Sequence, residues 1–108
     1  MKKDFEKFNI GQVAIIIKSS KCLILEFIDR PGVWGLPGGR IDKGELGKEA
    51  FKRELKEEIN LEKFVILGVV DYDIWITKSG NPFCGIANLI KANLNEIKLS
   101  FEHKMRRE

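Results

Sequence analysis

The chain has 108 residues, of which 44% are hydrophobic, a length and composition that suit one domain over residues 1–108 with a single core. The 19 lysines and arginines exceed the 16 aspartates and glutamates by only three, which is too small an excess to imply a nucleic-acid partner unless the charges cluster. Charged residues interrupt the longest apolar stretch and fill the start of the chain, so we expect no membrane span, no secretory signal and a cytoplasmic location.

The first half of the chain predicts a hairpin followed by a loop. Residues 13–17 and 22–28 are rich in β-branched and large apolar residues, and a polar stretch separates them. This pattern is typical of a β-hairpin. Residues 29–44 contain five glycines and two prolines, a density of helix breakers that predicts a loop. Cys22 and Cys84 stand apart from any CxxC pair, so we expect reduced core thiols.

A helix and further strands follow the loop. Residues 45–59 contain no proline and consist mostly of strong helix formers, which predicts a helix. Strands are predicted at residues 64–70, 73–76 and 83–94, with a turn at residues 78–82. This order of elements indicates a mixed α/β or α+β domain in which the helix packs on a sheet.

The predicted helix has an apolar row and an acidic stripe. Phe51, Leu55 and Ile59 follow one another at intervals of four residues, so they share one face, which we expect in the core. The other set contains three glutamates at positions i, i+3 and i+4: Glu54, Glu57 and Glu58. Such a stripe is either a solvated face of a charged helix or a set of ligands for a hard cation such as Mg²⁺, which binds carboxylate oxygens.

A longer spacing pattern surrounds this stripe. Gly39, Glu45 and residues 53–61 together resemble the Nudix box, Gly-x5-Glu-x7-Arg-Glu-U-x-Glu-Glu-x-Gly-U, where U is aliphatic. Residues 34–39 are also similar to the stretch that leads into this box in many members of the family. Asn60 replaces the usual glycine after the helix, and asparagine is the residue that best tolerates the left-handed conformation after glycine. The chain thus resembles the Nudix hydrolases.

The resemblance implies a fold, a reaction and a cofactor. The fold is an α/β/α sandwich around a mixed sheet, and the reaction is cleavage of a nucleoside diphosphate linked to another group. Mg²⁺, or Mn²⁺, is the implied cofactor, held by one backbone carbonyl and three carboxylates: Gly38, Glu54, Glu57 and Glu58. Arg53 and Glu45 match positions that pair with the carboxylates and orient them.

The residue that accepts the proton from water is left open by the resemblance. Glu54 is one candidate. Glu102 is the other, because residues 100–103 resemble a segment that often supplies a late acid in the family. The alternative interpretation of Glu102 is an exposed charge on the tail.

The C-terminal part of the pattern stops early. Family members usually continue with one more strand and a second helix, so we expect both to be missing here. The chain is then either a fragment or a reduced member whose bare sheet face, at residues 13–17 and 65–70, is buried in a homodimer. A fold of residues 1–9 over that face, with Phe5 and Phe8 inward, is the competing arrangement.

The substrate is weakly encoded. Asp71, Tyr72, Asp73 and Trp75 could contact a nucleobase by stacking and hydrogen bonding, or they could be core or strand-face residues. We therefore expect a nucleotide-like small molecule as substrate and leave its identity open.

Three classes of function compete. The complete set of acids favours a metal-dependent pyrophosphohydrolase, whereas the missing C-terminal elements favour a catalytically weak or inactive module that senses nucleotides. A small nucleic-acid-binding domain would depend on Lys104, Arg106 and Arg107. We expect no nucleic-acid partner, because no aromatic residues alternate with these basic ones as a stacking platform requires.

Overall fold

The computed structural model describes residues 4–27, 30–93, 95, 97 and 103–107. Within these ranges the chain forms one α-helix and seven strands: β1 Asn9–Lys18, β2 Lys21–Phe27, β3 Trp34–Gly35, β4 Gly38–Arg40, α1 Gly47–Ile59, β5 Val65–Ile76, β6 Pro82–Lys91 and β7 His103–Arg107. The mixed sheet with one packed helix confirms the predicted fold class. The described residues contain no helix with the length and apolar character needed to cross a membrane.

Strand β1 lies at the centre of the sheet. It pairs in parallel with β6, from Asn9 opposite Phe83 to Ile16 opposite Ile90, and antiparallel with β2 and β4 at its two ends. The strand order is β3-β2-β1-β6-β5, with β4 attached to β1 and β7 attached to β2. Strand β5 is therefore an edge of the sheet, and β4 holds the glycine-rich loop beside the middle of the molecule.

The helix is fixed by the apolar row that the sequence predicts. Phe51, Leu55 and Ile59 are at most 1% exposed and belong to one core cluster with Ile16 of β1 and Leu23 of β2. Burying side chains of this size stabilises the fold by about 1.5–3 kcal/mol each. This packing settles which side of α1 faces the sheet and leaves the acidic stripe at its margin.

The two ends of α1 differ in how they are closed. The helix begins at Gly47, two residues later than predicted, and Leu46 offers no side-chain cap. Its other end closes at Asn60, which has φ 55° and ψ 32°. The amides of Asn60 and Leu61 donate to the carbonyls of Lys56 and Leu55, respectively. This left-handed cap is the one expected for asparagine in place of glycine.

Two predictions about the strands are wrong. Residues 64–70 and 73–76 form one continuous strand, β5, because pairing with β6 overrides the poor strand preference of Asp71, which lies between them. Irregularities between Ile66 and Gly68 and between Val69 and Asp71 absorb the mismatch in register. A C-terminal strand is present as well, since β7 pairs with β2. The second helix does not occur within the described residues.

Strand β5 carries the bare apolar surface. Its exposed large apolar residues, nine in all, are Val65, Ile66, Leu67, Val69, Val70, Tyr72, Ile74, Trp75 and Ile76, with 38–66% of each side chain accessible. Residues 13–16 of β1 are buried or half-buried instead, so half of the expected bare face is covered. Phe5 and Phe8 are exposed themselves, and so they do not fold inward as the competing arrangement required. Cys22 and Cys84 are free and only half-buried.

Candidate active site

The glycines of β4 allow an unusually close approach between the loop, the sheet and the helix. Gly38 pairs with Val13 of β1, and a β-carbon at Gly38 would overlap the carbonyl oxygen of Gln12. A β-carbon at Gly39 would overlap the carboxyl group of Glu54 on α1. Because glycine has no side chain, the backbone of β4 can lie directly against both elements.

Two of the three predicted ligand carboxylates touch this loop. The amide of Gly38 donates to Oε1 of Glu58 at 2.5 Å, and the carboxyl group of Glu54 lies against Gly39. Glu57 lies one turn away from this contact and is 58% exposed. The structure thus brings Glu54, Glu58 and Gly38 together and leaves Glu57 at the solvent side of the group.

Arg53 links the remaining acids. Its Nε and Nη2 donate to the two carboxylate oxygens of Glu45 at 2.7 and 2.8 Å, a two-point pairing that fixes the guanidinium plane. Its Nη1 donates to Glu54 at 2.8 Å and to Glu57 at 3.2 Å. The guanidinium also reaches Asp42 and the carbonyl of Arg40, each at 3.2 Å. A single side chain therefore positions the loop before α1 relative to the acidic stripe.

The two carboxyls nearest Arg53 differ in their affinity for a proton. Hydrogen bonds from Arg53, and then from the backbone amide of Asp42, lower the pKa of Glu45 to about 2. Burial raises the pKa of Glu54, although Arg53 opposes the change. Glu45 therefore stays charged under all ordinary conditions, whereas Glu54 holds a proton more readily than an exposed glutamate does.

The carboxylates do not converge on one point. Among the described residues, no group of three or more histidine, cysteine, aspartate or glutamate side chains is arranged to hold a metal ion. Arg53 holds Glu54 and Glu57, while the Gly38 amide holds Glu58. Their oxygens are the ligands that Mg²⁺ prefers, and Glu54 and Glu58 already meet the same stretch of loop from successive turns of one helix. The chemistry of these oxygens therefore fits a hard cation.

A cavity of about 430 Å³ opens beside the same loop. Gly38, Gly39 and Arg40 form one wall, and Asp71, Tyr72, Asp73 and Trp75 of β5 contribute another. The four residues that the sequence analysis singled out for base contacts therefore lie together on this cavity. Gly39 joins the two parts of the site, because it lines the cavity and also contacts Glu54.

The sequence pointed to Trp75 but not to Phe83, which completes an aromatic floor in this cavity. The rings of Trp75 and Phe83 lie 4.9 Å apart between centroids, and the Arg40 guanidinium lies 5.5 Å from the centre of the Phe83 ring. β-Carbons at Gly11 and Gly85 would collide with these rings. Glycine in the interior of two strands was the available signal, since it marks close approach by another group.

The remaining predicted residues belong to the end of the chain. Glu102 lies outside the described residues. Lys104, Arg106 and Arg107 lie on β7, which pairs with β2.

Comparison with known proteins gives the family. A family model described as the NUDIX domain matches residues 8–83. The chain is 36% identical over 77 residues to an RNA pyrophosphohydrolase of a Nitratiruptor species, covering 67% of this chain and 48% of the relative. It is 39% identical over 69 residues to an RNA pyrophosphohydrolase of Campylobacter jejuni subsp. doylei, covering 59% of this chain and 43% of the relative. The chain thus spans about half the length of these curated relatives.

A solved structure gives the same result. The crystal structure of a MutT NUDIX hydrolase from Burkholderia pseudomallei superposes with a TM-score of 0.74 and 25% identity, covering 94% of this chain and 83% of that chain. The family match includes both the glycine-rich loop and the whole of α1. The chain belongs to the Nudix family.

Proposed function

We propose that the chain is a Mg²⁺-dependent pyrophosphohydrolase that cleaves a nucleoside diphosphate linked to another group. One observation carries the proposal: Glu54 and Glu58 meet the Gly38-Gly39 backbone beside a cavity of about 430 Å³. This volume lies within the range of small-molecule sites. The phosphates of a bound nucleotide would lie next to the carboxylates that hold the cation.

Each residue has a role in this proposal. Mg²⁺, or Mn²⁺ in its place, would be held by the Gly38 carbonyl and by the carboxylates of Glu54, Glu57 and Glu58. When bound, the ion supplies charge neutralisation for the pyrophosphate and makes water more acidic. Glu54 would accept the proton from the attacking water, because Arg53 holds its carboxylate against Gly39 beside the cavity. Glu102 is the alternative base.

Arg53 and Glu45 act by positioning in this proposal. Glu45 remains ionised, because its pKa is about 2, and it holds the Arg53 guanidinium through two hydrogen bonds. The guanidinium in turn holds Glu54 against Gly39. Loss of either side chain would leave the base free to rotate away from the loop.

The nucleoside would lie in the cavity. A base can stack on the Trp75 and Phe83 rings, and the carboxylates of Asp71 and Asp73 can accept hydrogen bonds from its edge. The curated relatives named RNA pyrophosphohydrolases support a 5′-terminal nucleotide as one form of this substrate.

A screen for released phosphate and pyrophosphate tests the proposal. The substrates are nucleoside triphosphates, nucleotide sugars, ADP-ribose, dinucleoside polyphosphates and a 5′-triphosphorylated RNA, each with and without Mg²⁺. We expect turnover of at least one substrate class that requires Mg²⁺ and is lost in Glu54→Gln. Absence of turnover across the whole screen would contradict the proposal.

A second candidate function is a nucleotide-sensing module without turnover. The observation that favours it is the division of the carboxylates between Arg53 and the Gly38 amide. Nucleotide binding by calorimetry, with no product formed during hours of incubation with Mg²⁺, would support this function over hydrolysis.

We also propose that the chain forms a homodimer through β5. The nine exposed apolar side chains of β5 form an apolar surface of the kind that marks an interaction site. Asp71 and Asp73 accept the backbone N–H of Tyr72 and Ile74 at 2.9 Å, so their charges protect this part of the edge from pairing. The contact would therefore be centred on residues 67–70, where a second copy can bury the same patch.

A further inference from the structure

A broad groove with a positive lining lies beside α1, away from the candidate active site. It has a volume of about 1100 Å³ and runs between α1, the start of β5 and the end of β6. Four lysines line it: Lys48, Lys52, Lys63 and Lys91. They come from three parts of the chain, so only the fold brings them together.

The groove keeps a net positive charge, because its lining holds four lysines and one glutamate. Glu62 is the acidic residue of the lining, and its carboxylate pairs with Lys56. None of the four groove lysines takes part in an ion pair in the portion of the chain that the structure describes. The groove therefore presents four cationic side chains to whatever enters it.

The stability of the fold does not explain this arrangement. Lys48 lies in the first turn of α1, where the positive end of the helix dipole disfavours a cation. Lys52 follows four residues later on the same face, and like charges at this spacing repel. A ligand that carries several negative charges would remove both penalties.

The groove and the candidate active site lie on opposite flanks of the same helix. Lys52 and Glu54 are two residues apart, so their side chains are separated by about 200° around the helix axis. One helix diameter, about 10–12 Å, separates the two flanks. An extended anionic chain could therefore reach from one flank to the other.

We propose that this groove, called the lysine groove, binds the backbone of a single-stranded nucleic acid. Its lysines can neutralise successive phosphates. Phe64, Val65 and Ile66 form an apolar part of the lining on which bases can lie, and this combination is typical of single-strand binding. A free polyphosphate has no apolar groups that could contact the apolar part of the lining, and a flat membrane does not enter a concave groove. The inference replaces the expectation of no nucleic-acid partner.

RNA bound in the lysine groove could also be the substrate of the candidate active site. This second role rests on the proposed function. A substrate with its 5′ phosphates at Glu54 would place downstream phosphates in the lysine groove. RNA of several nucleotides should therefore be hydrolysed with a lower KM than the corresponding mononucleotide. Substitutions in the groove should remove this difference and leave mononucleotide turnover unchanged.

A binding experiment tests the lysine groove directly. Fluorescence anisotropy measures the affinity of the full chain for a labelled 12-nucleotide single-stranded RNA in EDTA at several salt concentrations. For four phosphate contacts, the slope of log K against log salt should be about −3. In Lys52→Gln/Lys63→Gln the slope should become shallower by about 1.4. The control Lys18→Gln/Lys21→Gln removes two exposed lysines of the β1–β2 hairpin, and its slope should match the wild-type value.

Several results would overturn the inference. They are equal slopes for the groove variant and the control, wild-type binding that does not depend on salt, and complete displacement of the RNA by tripolyphosphate at equal phosphate concentration. Binding to polyglutamate or to anionic vesicles as tight as binding to RNA would overturn it as well. Thermal melting of both variants verifies that they fold.

The experiment separates this inference from the proposed function, because no hydrolysis takes place in EDTA. Salt-dependent RNA binding through the groove without turnover of any nucleotide would contradict the proposed function and support RNA binding by the groove. Turnover of nucleotides without groove-dependent RNA binding would contradict the lysine groove and leave the proposed function intact.

Discussion

The carboxyl group of Glu54 occupies the space that a β-carbon on residue 39 would fill. The glycine of the loop and the glutamate of the helix therefore depend on each other: a side chain at position 39 would displace the carboxyl group of residue 54. This contact joins the cavity to the acidic stripe, because Gly39 also lines the cavity.

Gly39→Ala should displace Glu54 and impair the site. We expect a loss of about 1–3 kcal/mol in the free energy of unfolding from overpacking, together with loss of Mg²⁺-dependent turnover. Gly47→Ala is the matched control, since its β-carbon would meet only Ile41, at 3.9 Å. Thermal melting and product release report the two effects. Equal behaviour of the two variants would mean that the contact between Gly39 and Glu54 has no functional role.

Glu54→Gln and Glu58→Gln should each keep the fold and lose turnover. Neither residue belongs to the buried row of α1, and glutamine at position 58 retains an oxygen that can accept the Gly38 amide. We expect kcat to fall about 10²- to 10⁴-fold with little change in melting temperature measured without metal. Glu49→Gln, an exposed acid in the first turn, is the control. A variant with near-normal kcat would remove that residue from the site.

Glu45 should make stability depend on pH in the acid range. Its pKa is about 2 in the fold and 4.5 in the unfolded chain, so the fold binds fewer protons, and the contribution of Glu45 is complete above the unfolded value. It is lost as the pH falls from about 4.5 to 2. The melting temperature of the wild type should therefore exceed that of Glu45→Gln at pH 6, and the difference should shrink toward pH 2. A difference that stays constant over this range would show that the pairing with Arg53 is not responsible.

The homodimer can be tested by sedimentation at micromolar concentration. We expect a dimer of the 12.4 kDa chain that Val69→Lys converts to a monomer, because a charge at the centre of the apolar patch is costly to bury. Lys78→Gln, in the β5–β6 turn, is a suitable control. A wild-type monomer that binds no hydrophobic dye would contradict both the dimer and the bare surface of β5.

Periodic signals allowed the parts of the fold near α1 to be predicted. The four-residue spacing of Phe51, Leu55 and Ile59 gave the buried face, and Asn60 gave the left-handed end of the helix. Strand β5 was harder, because Asp71 looks like a loop residue and only pairing with β6 makes it part of a strand. Local preference fails where a long antiparallel partner dictates the conformation.

The candidate site also has one part that could be predicted from the sequence and another that could not. Glu54, Glu57 and Glu58 are close in sequence, so their shared flank follows from helix geometry alone. The lysine groove combines residues that are far apart in the chain, such as Lys52 and Lys91, and the aromatic floor of the cavity pairs Trp75 with Phe83 across the β5–β6 hairpin. No spacing rule predicts such pairs, because they depend on the register of β5 with β6 and on where α1 packs.

Calorimetric titration with Mn²⁺ measures metal binding by the acidic stripe without a substrate. We expect binding to the wild type and to Glu49→Gln, and loss of binding in the double variant Glu54→Gln/Glu58→Gln, with all three proteins folded. Binding of Mn²⁺ to the double variant with wild-type affinity, or no binding to the wild type at millimolar Mn²⁺, would contradict the claim that these carboxylates beside Gly38 and Gly39 form the metal site.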